Sequence, residues 1–153
     1  MQRRKIIILD APSNSGLRPP AEGRVPGCYK LPYALRDQKI LTRLGAEDAG
    51  SLVPPRYEPE PIAGGVRNGP ALSQYSQRLA ERISLILNKE RFPIVLGGDC
   101  SILIGAMLCL RRRVGYGLLF LDGHTDFRHP WQLAKNRCSG WRGLGNSYWP
   151  RPA

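Results

Sequence analysis

The chain has 153 residues, 23 of them basic and 12 acidic, for a net charge of +11, with 17 glycines and 14 prolines. That length supports one domain with a real core, and no apolar run approaches the ~20 residues a membrane helix needs. The four cysteines, Cys28, Cys100, Cys109 and Cys138, show no paired spacing, so a disulfide framework is not expected.

In chain order, residues 4–9 (RKIIIL) read as a buried first strand. Basic residues before an apolar run resemble a signal peptide, but this run stops at Asp10 and Pro12, too short for an h-region. A cytoplasmic protein is therefore expected. Residues 11–32 form a Pro/Gly-rich loop able to cross the mouth of a site. Tyr33 to Leu44 predicts a helix stopped by Gly45, and residues 50–70, with Pro54, Pro55, Pro59 and Pro61, predict a second loop. Leu72 to Glu90 predicts an amphipathic helix with Leu72, Leu79, Ile83, Ile86 and Leu87 on one face. Phe92 to Leu96 is a strand too apolar to alternate, as in a parallel sheet covered on both faces. Ser101 is placed to N-cap a helix from Ile102 to about Arg112. Within it Cys109 sits in an apolar run as a core residue. Arg111, Arg112 and Arg113 fall at its end, where cations favour the helix dipole. Tyr116 to Leu121 predicts another buried strand. The alternation of strands and helices is that of a doubly wound α/β sheet, which places ligand sites at the carboxyl ends of its strands.

Two clusters lie at such ends. In LDGHTDF, Asp122, His124 and Asp126 recur at every second position, so an extended backbone points all three the same way. Two carboxylates and an imidazole suit Mn, Fe or Zn; a polar turn with solvated carboxylates is the plainer alternative. In GGDCS, residues 97–101, the two glycines could open a phosphate turn, but a third spaced glycine and a lysine are missing. They could also serve only a tight strand-to-helix turn. Cys100 taken alone reads as a small core residue.

Taken together, FPIVLGGDCSILIG and YGLLFLDGHTDF resemble the arginase/agmatinase/formiminoglutamase family of ureohydrolases, which carries Gly-Gly-Asp-His-Ser and Asp-Ala-His-x-Asp at successive strand ends. The resemblance covers about Ile6 to Phe127 and includes the loop PSNSGLRPPAEGRVPG. It implies a three-layer α/β/α sandwich around a parallel sheet, two Mn ions, and hydrolysis of guanidino or related C–N bonds in small arginine- or agmatine-like substrates. Position by position, it implies that Asp122 bridges both metals, His124 binds one, and Asp126 binds the other. Cys100 stands where the family usually has a His on the same metal as Asp126, and Asp99 supports the turn. A thiolate there favours Zn or Fe over Mn. Metal activation can lower the pKa of water from 15.7 to roughly 7, giving a nucleophile for the guanidino carbon and, as products, urea and an amine.

The family's Asp-rich third motif, Ser-x-Asp-x-Asp-x-x-Asp-Pro, has no counterpart after Phe127, and no acidic residue follows Asp126. The expected organisation is an amino-terminal portion of the family domain over residues 1–127 and an atypical, disordered tail over 128–153. The tail holds Trp131, Trp141 and Trp149 and +5 of the net charge. Codon degeneracy permits a shifted frame after about residue 130; a genuine variant terminus is the alternative. The expected function is a metal-dependent hydrolase of this family, inactive as this chain. The alternatives are a non-catalytic interaction module, able to pair with another copy or a relative, and a basic nucleic-acid binder. The last is disfavoured because nearly half the excess charge lies in the tail.

Overall fold

The structure, a computed structural model, describes residues 4–58, 67–113, 115–117 and 119. The elements run β1 (Ile6–Ala11), α1 (Leu31–Asp37), α2 (Ile40–Leu44), β2 (Glu47–Ser51), α3 (Gly69–Asn88), β3 (Phe92–Gly97) and α4 (Ile102–Arg111). A 3-10 turn over Gly27–Lys30 leads into α1. The strands form one parallel sheet in the order β2-β1-β3. Parallel neighbours need crossovers, and helices supply both: α1 and α2 between β1 and β2, α3 between β2 and β3.

β1 is the central strand, and its alternation sorts the two faces. Ile7, Leu9 and Ala11 join the core formed with Tyr75, Leu79, Ala80, Ile83 and Ile86 of α3 and Cys109 of α4. Asp10, of opposite parity, meets Arg36 of α1 at 2.5 Å. Helices therefore flank both faces of the sheet, the α/β arrangement expected. Ile8 and Leu9 are fully buried, which at about 25 cal/mol per Å2 of apolar area makes β1 a main contributor to the fold.

α3 carries the expected apolar stripe, with Leu72, Leu79, Ile83 and Ile86 buried and Leu87 packed partly against the core. Tyr75 joins that stripe. Its ring is buried and its hydroxyl donates to the Leu52 carbonyl at 2.8 Å, which satisfies the one polar atom burial would otherwise strand. α4 crosses α3 at Gly105, where an added Cβ would lie 2.9 Å from the Leu79 Cβ and from the Ser76 carbonyl oxygen. The glycine lets two helix backbones approach closely. Arg113 ties the end of α4 to Asn88, the last residue of α3, so at least one arginine of the basic cluster has an internal partner.

Several elements differ from the sequence expectations. The helix over Tyr33–Leu44 is two helices. Gln38 follows α1, Lys39 takes a left-handed conformation (φ 57°), and α2 restarts at Ile40. Gly45, also left-handed, ends α2 as expected. The segment EDAGS, at the edge of the expected loop, is β2. It has no β-branched or aromatic residue, and partners outside it hold it in place. Lys5 pairs with Glu47, and Arg36 forks onto Asp48 at 2.7 and 2.9 Å. Arg82 donates to the Ala49 carbonyl. β3 is less covered than expected: Phe92 is exposed, Pro93 to Val95 are half-buried, and only Leu96 and Gly97 are buried. Among the described residues it is an edge strand. Of the strand expected over 116–121, residues 116, 117 and 119 are described and are not in a strand, while 118, 120 and 121 lie outside the described residues, as does the whole 128–153 tail. Among the described residues no helix is long and apolar enough to cross a membrane.

Candidate functional site

β1 and β3 end side by side, with Ala11 opposite Gly97. The chain leaving β1 folds immediately across the turn that leaves β3. An added Cβ on Gly98 would sit 2.0 Å from the Ser13 carbonyl oxygen and 2.5 Å from the Ser13 nitrogen, so only glycine admits the two backbones there. At Gly97 an added Cβ would meet the Ile102 side chain at 1.9 Å. The paired glycines thus serve close packing of strand, loop and helix, the plainer of the two readings their sequence allowed.

Asp99 organises the contact. Its backbone N–H donates to the Ser13 carbonyl at 2.9 Å. Its carboxylate accepts from the Gly16 N–H at 2.8 Å and from the Ser101 hydroxyl at 2.8 Å. Asp99 and Ser101 are both buried, and Cys100 between them is exposed. Ser101 stands at the N-cap position expected, but its side chain makes no capping bond. Its backbone is helical and its hydroxyl turns to Asp99. The first N–H groups of α4 are instead satisfied by a tight turn, with Ile102, Leu103 and Ile104 donating to the carbonyls of Asp99, Cys100 and Ser101.

The loop itself is braced from inside. The Ser13 hydroxyl accepts the Ser15 N–H at 3.1 Å. Asn68, buried and left-handed (φ 55°) at the start of α3, donates to the Ser15 carbonyl at 3.0 Å and accepts the Glu58 N–H at 3.0 Å. Cys28 directs its thiol at the Ser13 carbonyl, 3.7 Å away. Burial, and then the Asp99 charge, push the Cys28 thiol above its ordinary pKa. The Tyr75 hydroxyl is raised for the same two reasons in the same order. The sequence reading put Ser13 and Gly16 in a loop able to cross the mouth of a site but named none of their contacts, and it gave Asn68 no role there. The signal for these contacts was the clustering of small polar residues around PSNSG and the Asn-Gly-Pro run at residues 68–70.

Of the four expected metal ligands, Cys100 lies at the carboxyl end of the sheet. Asp122, His124 and Asp126 lie outside the described residues. Among the described residues no three His, Cys, Asp or Glu side chains are arranged to hold a metal, and Cys28, Cys100 and Cys109 form no disulfide. Cys109 is core, as expected.

Comparison with known proteins decides the family. The arginase family model matches residues 19–141. The chain belongs to the arginase family. An arginase of Staphylococcus aureus is 29% identical over 144 residues, covering 88% of this chain and 46% of that protein. The arginase structure from Bacillus caldovelox superposes with a TM-score of 0.69 at 27% identity, covering 83% of this chain and 43% of that one. The Bacillus subtilis arginase structure shares the fold, with a TM-score of 0.71 at 22% identity over 93% of this chain and 45% of that one. The chain thus spans about half the length of the family members it matches. The parallel sheet flanked by helices is the corresponding part of the family fold.

Proposed function

We propose that this chain carries the amino-terminal part of a metal-dependent hydrolase site of the arginase family, one that acts on guanidino or amidine C–N bonds of small substrates. The carrying observation is the GGDCS turn. It sits at the carboxyl end of a parallel strand and holds Asp99 inward and Cys100 outward. Cys100, Asp122, His124 and Asp126 are the proposed ligands. One thiolate, one imidazole and two carboxylates form a donor set that fits a divalent transition metal, and the sulfur tilts the preference toward Zn or Fe relative to Mn. When bound, such metals supply Lewis acidity and a strong nucleophile near neutral pH. The chain's own contribution is orientation: Asp99 and the two glycines fix where Cys100 leaves the strand.

Residues 1–153 contain no acidic residue after Asp126, and a two-metal site needs more carboxylates than remain. We therefore expect this chain alone to release almost no urea from arginine or agmatine. A cytoplasmic setting and a domain edge near residue 127 belong to the same proposal; the DNA following the Pro130 codon tests whether the tail is frame-shifted. Metal analysis of purified protein is the main test. Near-stoichiometric Zn, Fe or Mn that disappears in Asp122→Asn and His124→Ala is the expected result. Absence of uptake by the wild type would overturn the metal site, and robust urea release would overturn the expected inactivity.

A further inference from the structure

We infer that Asp99 is a positioning residue that clamps the loop Ser13–Gly16 onto the turn bearing Cys100, so that this part of the loop is a fixed wall of the site and not a lid. The inference deepens the proposed function and rests on its reading of Cys100.

Four observations converge on it. Asp99 reaches across 83 positions of sequence to the Gly16 N–H, and its own N–H returns to Ser13, so loop and turn are joined at two points. At Gly16 an added Cβ would meet Asp99 Oδ2 at 2.4 Å and the Ser101 Cβ at 2.9 Å, and at Gly98 it would strike the Ser13 backbone. Both sides of the contact are cut to fit. Ser13, Ser15, Asp99 and Ser101 are all buried, although they are polar and lie in loops. Such burial is tolerated only because each finds a partner. Asn68 grips the loop from the opposite side through the Ser15 carbonyl. A segment meant to open would break several buried hydrogen bonds at once, one of them to a carboxylate, which is the stronger kind.

Placing Asp99 and Ser101 inward also determines what lies between them. Cys100 is the one residue of the three directed to the surface. The clamp therefore sets the position of the sulfur as well as that of the loop. This is the usual effect of hydrogen-bonded groups behind a metal ligand.

The test uses the whole chain, zinc as the probe, and the variants Asp99→Ala, Asp99→Asn and Gly16→Ala. Asparagine can accept the Gly16 N–H with its oxygen and donate to the Ser101 hydroxyl with its nitrogen, so Asp99→Asn should stay near wild type. In Asp99→Ala, amide hydrogen exchange at Gly16 should rise about tenfold or more, while the amides of α3 keep their protection. Zinc affinity should fall about 10- to 100-fold. Gly16→Ala, which keeps Asp99 but wedges the contact apart, should behave the same way and covers the case in which Asp99→Ala fails to fold. Unchanged Gly16 exchange in both disruptive variants would overturn the clamp. Faster exchange with unchanged zinc affinity would overturn the positioning of Cys100. Should the wild type take up no zinc, the metal reading fails by itself, and the exchange data still judge the clamp.

Discussion

Toward β3, the central strand meets its neighbour in six consecutive pairs from Ile6–Phe92 to Ala11–Gly97, and the contact continues past both strand ends through Ser13, Gly98 and Asp99. Toward β2, the register shifts between Ile8 and Asp10. There, long side chains do the holding: Lys5 on Glu47, Arg36 on Asp10 and Asp48, Arg82 on Ala49, Tyr75 on Leu52. One side is fixed by close backbone approach, the other by charge and reach. The side that carries the candidate site is the one that tolerates no added atom.

That contrast can be broken by experiment. Gly98→Val should be the most damaging change, since its side chain would enter the Ser13 backbone. Overpacking of this kind costs about 3 kcal/mol, read as a fall in the urea midpoint; a near-zero effect would mean that the loop does not seat on the turn. Arg36→Ala should follow at about 2 kcal/mol. It leaves Asp10, 2% exposed and with Oδ1 lacking a partner among the described residues, as a buried carboxylate without its cation. The partial exposure of the Arg36 side chain keeps the cost below that of a fully buried pair. A loss as large as that of Gly98→Val would erase the distinction between the two sides.

Tyr75→Phe should cost about 1 kcal/mol by stranding the Leu52 carbonyl, and equilibrium unfolding would resolve it. The smallest expected effect is acid sensitivity. The Arg36 hydrogen bond holds the Asp48 carboxyl below its ordinary pKa. The ionised form is the bonded form, so its contribution is complete above the unfolded value of ~3.9 and is lost as pH falls through the lower folded value. Asp48→Asn should flatten that part of the acid limb; an unchanged limb would remove charge from the account of β2.

The same contrast explains what was legible in the sequence. β1, α3, β3 and α4 announce themselves through apolar runs or a helical stripe, and the GGDCS turn through its glycines. β2 does not, because EDAGS owes its extended form to Lys5, Arg36 and Arg82, which lie 42, 12 and 33 positions from their partners Glu47, Asp48 and Ala49. The break after α1 has no glycine or proline to mark it; a lysine occupies the left-handed position. Ser101 stands at the cap position the sequence marks, but its hydroxyl goes to Asp99, two residues earlier, and not to the helix N–H groups. Tyr75 falls on the spacing of the stripe, three residues after Leu72 and four before Leu79, but what allows its hydroxyl to be buried is the Leu52 carbonyl, outside the helix. The metal-ligand spacing at 122–126 remains a sequence reading, lying outside the described residues.

The pairing of β1 with β3 also has a consequence in time. Partners such as Ile6 and Phe92 are 86 positions apart in the chain. At ~5–20 residues per second, synthesis delivers β3 roughly 4–17 s after β1. During that interval one edge of an Ile-rich strand has no native neighbour, while β2, with its acidic residues, emerges about midway to cover the other. Refolding should be slow for the chain's size, because so distant a contact must close before it contributes. The nascent chain is then most prone to wrong strand pairing in the interval before α3 is complete and β3 emerges.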